Sequence, residues 1–212
     1  MTFVFLAAAL LWQKAPLLVA PDGFDKVFAP LRGGNFALVR EDPAMTTVEI
    51  FDYSGKLIEK NDVGKNVLVT GIFEGALKLV YYPPNWFPED SDSSNDFPDL
   101  PLSIGIPRWI GDFSFTRVGE KYAFWTGHVL PSFIKVPSNV LKVGDPKMGT
   151  PANLVLVDKQ GKSGIVLAQF FVSYGEGTPS ARMAFSMAYS PEVHKLLFFA
   201  GQSLYAIDVY RK

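Results

Sequence analysis

The stretch of residues 33–58 carries the clearest structural signal in the chain, because it reads as two β-strands with their turns. Residues 36–40 form a mostly apolar run after Gly-Gly-Asn, and residues 47–53 alternate β-branched or aromatic side chains with polar ones. Such runs favour strands, and the Ser54-Gly55 pair that follows favours a turn, because glycine adopts a positive φ at little cost. The stretch therefore predicts two adjacent antiparallel strands.

The same pattern of strand and turn recurs along the chain. Two apolar runs rich in β-branched residues flank Glu74-Gly75, which predicts a hairpin with a two-residue turn. Together these patterns predict an all-β fold of antiparallel meander sheets. Further strands are predicted at residues 57–60, 66–72, 76–82, 103–106, 112–117, 122–125, 133–136, 152–157, 164–172, 184–189, 195–199 and 203–209.

The composition provides enough apolar material for a large buried core. Of the 212 residues, 48% are hydrophobic and 14% are aromatic. Because all-β domains of about 200 residues commonly form one unit, we expect a single all-β domain over residues 21–212. The irregular, proline-rich and acidic stretch at residues 83–101 is expected to be an insertion in this domain, and residues 1–20 form an apolar N-terminal segment.

Residues 1–12 are uncharged, and the first basic side chain is Lys14. This run is too short to span a bilayer, which needs about 20 apolar residues, so no membrane span is expected. An export signal would explain it, although no basic residue precedes it and proline follows both candidate cleavage sites, Ala15 and Ala20. The location is then periplasmic or extracellular. The alternative is that residues 2–11 form a buried strand or short helix of the mature domain, which would then be cytoplasmic.

Charge and motif content exclude several functional classes. The net charge is −1 and no cluster of Lys and Arg forms a basic stripe, so nucleic acid is not an expected partner. Without cysteine the chain has no disulfide, thiolate metal site or cysteine nucleophile. The sequence also contains no G-x-S-x-G nucleophile elbow, P-loop or G-x-G-x-x-G motif.

Three strand patterns that end in aspartate suggest a weak internal repeat. They are TTVEIFDYSGKLI, PANLVLVDKQGKSGIV and QSLYAIDVYRK, with the aspartates at Asp52, Asp158 and Asp208, and the first two continue through Gly-Lys. If the hairpin around Glu74-Gly75 begins a further unit, the units average roughly 50 residues, which is near the blade length of several propellers.

In these residues the chain resembles bacterial β-propeller proteins of the NHL and six-bladed type. Residues 33–39 with 48–58, and residues 153–166, match the blade pattern of those families. Residues 184–209 also look like a closing blade of those families or of calcium-dependent lactonases and arylesterases. The resemblance implies a propeller-like fold as a partial or small ring, because six four-stranded blades need about 240 residues. A β-sandwich or barrel built from the same hairpins is the alternative.

An acidic run in the insertion offers oxygen ligands at alternate positions. Asp90, Asp92 and Asp96 are spaced like the start of an EF-hand loop, which makes calcium the candidate cofactor. Asn95 replaces the glycine of that loop, and Pro101 replaces its bidentate glutamate. The alternative is a solvated acidic loop that binds no metal.

Aromatic side chains around this loop are the candidate binding surface. Tyr82, Trp86, Phe87 and Phe97 offer large, rigid contact areas, and His128 follows a predicted strand end where it would face a groove. The alternative is that the aromatics cover the base of a compact loop.

These residues predict a non-enzymatic binding module for a protein or small-molecule ligand. A calcium-dependent lactonase-like hydrolase and a structural subunit of a larger assembly are the alternatives. In lactonase-like propellers a central calcium is bound by side chains on inner loops, but no residues of this sequence can be matched to those ligands.

Overall fold

A computed structural model of the protein describes residues 15–24, 26–81, 115–126, 130, 132–148, 151–171 and 186–209. The described chain is mostly β-strand, with one short 3-10 turn at Pro146–Met148, so the predicted all-β class is confirmed. The strands are β1 Leu18–Val19, β2 Lys26–Leu31, β3 Asn35–Arg40, β4 Thr46–Phe51, β5 Leu57–Gly64, β6 Val67–Phe73, β7 Ala76–Tyr81, β8 Phe115–Val118, β9 Lys121–Thr126, β10 Ile134–Lys135, β11 Leu141–Val143, β12 Ala152–Asp158, β13 Gly164–Phe170, β14 Met187–Ser190, β15 Lys195–Ala200 and β16 Ser203–Asp208.

Sheet I contains the stretch that dominates the sequence. Strands β2 to β5 pair in chain order as an antiparallel meander. The two strands predicted within residues 33–58 are its central pair, β3 and β4. The sequence patterns predict no strand at residues 24–30, whereas β2 pairs along β3 there and its apolar Val27 and Leu31 are buried.

Hairpin II consists of β6 and β7 and confirms the predicted turn at Glu74-Gly75. Both turn residues have positive φ, 49° and 76°, as a two-residue hairpin turn requires. Hairpin II packs against β2 of sheet I.

Sheet III is built from the antiparallel strands β8, β9, β12 and β13. Two short strands, β10 and β11, run parallel to β13 and cover its outer edge. The sequence predicts an extended piece at residues 133–136, which β10 confirms, but it does not predict β11. These two short strands thus protect a sheet edge that would otherwise be open to pairing with another chain.

Sheet IV brings the first and last described strands together. Its order is β1, β16, β15, β14, so β1 forms the outer strand of a sheet whose other members all come from the end of the described chain. Leu17 N donates to Leu204 O (2.7 Å) and Ala20 N donates to Gln202 O (2.9 Å). β1 is short because Pro16 and Pro21 bracket it, and proline has no N–H to donate to a sheet ladder.

The sheets pack face to face in the order III, IV, I, II. Central strands β3, β12 and β15 are buried on both faces, which explains why they read as continuous apolar runs and not as alternating patterns. Along β15, successive side chains point alternately to sheet III and to sheet I. One core contains Trp125, Leu154, Leu196 and Phe198, the next contains Phe36, Leu38, Leu197 and Phe199, and the third contains Ala37, Val39, Val48 and Val69.

Two of the repeated aspartates form the same kind of turn. Asp52 Oδ1 accepts from the N–H groups of Ser54 (2.8 Å) and Lys56 (3.0 Å), and from the Ser54 hydroxyl. Asp158 Oδ1 accepts from Gln160 and Lys162 in the same way. The two aspartates therefore stabilise turns of the scaffold.

The third repeated aspartate, Asp208, differs from the first two. It lies at the end of β16 and its carboxylate pairs with Lys195 Nζ at 2.7 Å. The predicted strand at residues 103–106, the insertion at residues 83–101 and the apolar run at residues 1–12 lie outside the described residues. Among the described residues, no helix is long and apolar enough to cross a membrane.

Gly55, in the turn after β4, lies against the chain segment before β1. Substitution of this glycine should therefore lower the free energy of unfolding. Gly55 has φ 86°, and a Cβ there would lie 2.8 Å from the Leu17 carbonyl oxygen. Gly119 has φ 63°, but a Cβ there would meet nothing within 4 Å. We expect Gly119→Ala to lower the free energy of unfolding by about 1–2 kcal/mol from the backbone alone, and Gly55→Ala to lower it further. Equal decreases in the free energy of unfolding of the two variants, measured by urea denaturation, would contradict the close contact between Gly55 and Leu17.

The two aspartate turns should make stability fall in acid. The Ser54 hydroxyl and then the Lys56 amide lower the pKa of Asp52, and the Ser163 hydroxyl and then the Lys162 amide lower the pKa of Asp158. A carboxylate whose pKa is lower in the folded than in the unfolded state stabilises the folded protein. Its contribution is complete above the unfolded-state pKa of about 3.9 and is lost as the pH falls through the folded-state pKa.

We therefore expect the double variant Asp52→Asn with Asp158→Asn to show a shallower pH dependence of unfolding between about pH 5 and pH 2 than the wild type. Chemical denaturation at several pH values measures this slope. An unchanged slope would show that these turns do not contribute to the acid sensitivity.

Candidate functional site

The site residues predicted from the sequence are not among those the structure describes. Tyr82, Trp86, Phe87 and Phe97, the carboxylates Asp90, Asp92 and Asp96, and His128 all lie outside the described residues. They therefore stay predictions. Within the described ranges, no group of three or more His, Cys, Asp or Glu side chains is arranged to hold a metal ion.

A cleft between sheet I and hairpin II is the candidate site of the described chain. Its volume is about 420 Å³, within the range of roughly 300–1,000 Å³ that is usual for small-molecule pockets. Strands β4 and β5 form one wall and β7 forms the other. The lining residues are Leu31, Arg32, Asn35, Val48, Ile50, Ile58, Glu59, Asn61, Val63, Gly75, Ala76, Leu77 and Leu79.

Most of the cleft wall is apolar because the strands that form it turn one face inward. Ile50 and Glu59 face each other across β4 and β5, and a register shift follows between Ile50 and Phe51. Ile58 lies at this irregularity and is 51% exposed, although it is a large apolar side chain. A bulge that redirects a side chain at a sheet edge commonly marks a site where the edge contacts something else.

Hydrogen bonds fix hairpin II to sheet I at the inner end of the cleft. The buried Thr46 hydroxyl donates to Val67 O at 2.6 Å, and Val69 N donates to Glu41 Oε1 at 2.7 Å. The same Glu41 carboxylate pairs with Lys26 Nζ. These contacts keep the base of the hairpin in place and close this end of the cleft.

Arg32 holds the opposite end of the hairpin. Its backbone N donates to Gly75 O (2.8 Å) and its Nε donates to Glu74 O (2.9 Å). A Cβ on Gly75 would lie 2.7 Å from Arg32 Cγ, so the arginine stem lies directly on the hairpin turn. Both ends of the hairpin are therefore fixed to sheet I, and an open cleft lies between them.

Four polar residues are among those that line the cleft: Arg32, Asn35, Glu59 and Asn61. Asn61 Nδ2 donates to Glu59 Oε1 at 2.9 Å, which orients that carboxylate. Neither Arg32 nor Glu59 takes part in an ion pair within the described residues. The cleft therefore combines mostly apolar walls with one positively and one negatively charged side chain.

A second polar group lies inside the molecule, between sheets IV and I. The hydroxyls of Tyr53 and the fully buried Ser190 lie there, and Tyr53 packs on Phe36 with ring centroids 5.4 Å apart. Burial raises the pKa of the Tyr53 phenol, Ser190 opposes this rise, and the Glu192 carboxylate adds to it.

Searches of known protein families, curated proteins and solved structures found no match for this chain.

Sequence patterns carry little signal for the cleft. Its walls come from residues that are predicted as strands, and only the exposed apolar Leu57-Ile58 pair, next to the charged Glu59 and Lys60, departs from a plain edge strand. The cleft forms through the packing of sheet I against hairpin II, which no local pattern encodes.

The buried Thr46 hydroxyl should be important for the position of hairpin II. We expect Thr46→Val, which has nearly the same shape, to lower the free energy of unfolding by about 1–3 kcal/mol because the Val67 carbonyl loses its donor. The control is Thr70→Val on the same hairpin, where an exposed hydroxyl lies 3.4 Å from Lys78 O and the loss should stay below about 0.5 kcal/mol. Similar losses in the two variants would contradict the anchoring role.

Proposed function

We propose that this protein is a non-enzymatic binding module on a propeller-like scaffold, and that it binds its ligand in the cleft between sheet I and hairpin II. The observation that carries the proposal is the cleft itself, which has mostly apolar walls and four polar residues in its lining. Pockets of this type commonly bind small molecules or side chains of a partner.

The arrangement of the sheets supports the propeller-like scaffold. Sheets I and III and strands β14 to β16 of sheet IV are antiparallel meanders, and the first strand of each meander contacts the first strand of a neighbouring meander or hairpin: β8 with β14, β14 with β2, and β2 with β6. In a propeller, successive sheets pack face to face around a central channel, and the first strand of each sheet lies nearest that channel. In a sandwich, only one face of each sheet is buried. The pairing of β1 with β16, which completes the last sheet with the first strand, also suits a ring.

The two aspartate turns support the internal repeat. Asp52 follows the third strand of sheet I, and Asp158 ends the third of the four antiparallel strands in sheet III. Equivalent turns at equivalent positions are expected when sheets are copies of one unit. In such a scaffold the residues that line a cleft between two sheets, and the loops at the ends of the sheets, can differ from unit to unit and bind ligands.

An uncharged hydrophobic dye tests whether the cleft binds apolar molecules. We expect Nile red to bind the folded protein, and Ile58→Asp to weaken binding about tenfold, because a carboxylate in the apolar wall must lose hydration when the dye enters. Ile165→Asp is the matched control, since Ile165 is a partly exposed strand residue outside the cleft. Fluorescence titration measures both. Absence of dye binding, or equal weakening by both substitutions, would contradict the proposed site.

A further inference from the structure

Arg32 brings hydrogen-bond donors into the lining of the cleft. Its side chain is exposed, and its Nε donates to Glu74 O at 2.9 Å. A Cβ on Gly75 would lie 2.7 Å from Arg32 Cγ, so the stem of the side chain is held against the hairpin turn. The two terminal nitrogens make no hydrogen bond or ion pair within the described residues. The guanidinium is therefore oriented by one contact while its terminal N–H groups stay available.

Asn35 adds a second donor group from the same turn. Leu31 of β2 pairs with Asn35 of β3, and Gly34 N donates to Leu31 O at 3.2 Å, so Arg32 and Asn35 belong to one tight turn. Asn35 also lines the cleft, and its side-chain amide makes no hydrogen bond in the described part of the chain. A guanidinium and an amide NH₂ group on one turn both donate hydrogen bonds, which suits an anionic group of a ligand.

Three carboxylates lie in this part of the molecule, but none of them is paired with Arg32. Glu74 contacts Arg32 through its backbone carbonyl. Glu192 Oε2 lies 3.8 Å from the position that a Cβ on Gly34 would take. Glu59 lies on β5, at the opposite edge of sheet I from β2. Because no ion pair joins these carboxylates to Arg32 among the described residues, a ligand carboxylate would not have to displace one.

From this arrangement we infer, resting on the proposed function, that the cleft binds an amphipathic monocarboxylate. Its carboxylate accepts from Arg32 and Asn35, and its hydrocarbon part packs on the apolar walls, which include Ile50, Ile58 and Leu77. A guanidinium matches a carboxylate in shape, because two parallel N–H groups can donate to the two oxygens. Arg32 is the one positively charged side chain among the lining residues, so it balances a single negative charge and not the larger charge of a phosphate group.

Isothermal titration with ligands of matched chain length tests the inference. Octanoate should bind about tenfold more tightly than octan-1-ol, because its carboxylate gains charge-assisted hydrogen bonds. Octylammonium should bind more weakly than octan-1-ol, since its charge has the same sign as that of Arg32. Each of the two methylene groups that distinguish octanoate from hexanoate should strengthen binding about fourfold, as expected when a hydrocarbon chain leaves water.

The variant Arg32→Gln supplies the specific readout. In this variant octanoate should bind no better than octan-1-ol, whereas octan-1-ol should bind as it does to the wild type. Arg117→Gln in sheet III is the matched control, because Arg117 is also exposed and its Nε also donates to a turn carbonyl, Gly119 O at 2.9 Å, but it does not line the cleft. This control should keep the tenfold preference for octanoate.

A second variant, Asn35→Asp, leaves the contacts of Arg32 with the hairpin in place. The new carboxylate is nearly the same shape as the amide but competes for Arg32 and repels octanoate, so we expect octanoate to bind at least about tenfold more weakly and octan-1-ol to be unaffected. This variant decides the matter if Arg32→Gln also weakens the binding of octan-1-ol. Comparisons among ligands on the wild-type protein need no variant to fold.

The outcomes separate this inference from the proposed function. If Nile red and octan-1-ol bind but octanoate has no advantage over octan-1-ol, the carboxylate inference is wrong and the apolar site stands. If the dye, the alcohol and octanoate all fail to bind, both are wrong. If the preference for octanoate survives in Arg32→Gln, or is lost equally in Arg117→Gln, Arg32 does not recognise the carboxylate and the inference is wrong.

Discussion

The pairing of β1 with β16 is the constraint on which the rest of the fold depends. It joins strands from opposite ends of the described chain in one sheet, and that sheet packs between sheets III and I. The carbonyl of Leu17, just before β1, also lies against the turn at Gly55 of sheet I. Because the side chains of β15 alternate between the core with sheet III and the core with sheet I, a slip of one residue would exchange them between the two cores.

The cleft is a consequence of how two neighbouring sheets differ. Sheet I has four described strands whereas hairpin II has two, and the hairpin is fixed by Thr46 and Glu41 at one end and by Arg32 at the other. Between these anchors a gap remains between the apolar faces of sheet I and hairpin II. The same residues that fix the hairpin thus determine the shape of the proposed binding site, and Arg32 has a part in both.

Local patterns were enough to predict most strands, but not how they assemble. Hairpin II and the β12–β13 pair were predictable because each combines apolar strands with an explicit turn. The two residues of β1 and the three of β11 were not, because they form only by pairing with strands distant in sequence. For the site, sequence reasoning selected the 83–101 insertion and His128, which lie outside the described residues. The cleft arises from packing between elements and was not predictable from any one of them.

The most direct test of the β1–β16 pairing is an engineered disulfide between these two strands. The chain has no cysteine, and Val19 pairs with Ser203, so Val19→Cys with Ser203→Cys places two thiols on directly opposed residues. The β1–β16 pairing predicts that this pair oxidises to an intramolecular disulfide and raises the midpoint of urea unfolding, by constraining a long segment of the unfolded chain. The pair Val19→Cys with Ile165→Cys should stay reduced. Failure of the first pair to oxidise, or a disulfide that lowers the midpoint of urea unfolding, would contradict the β1–β16 pairing.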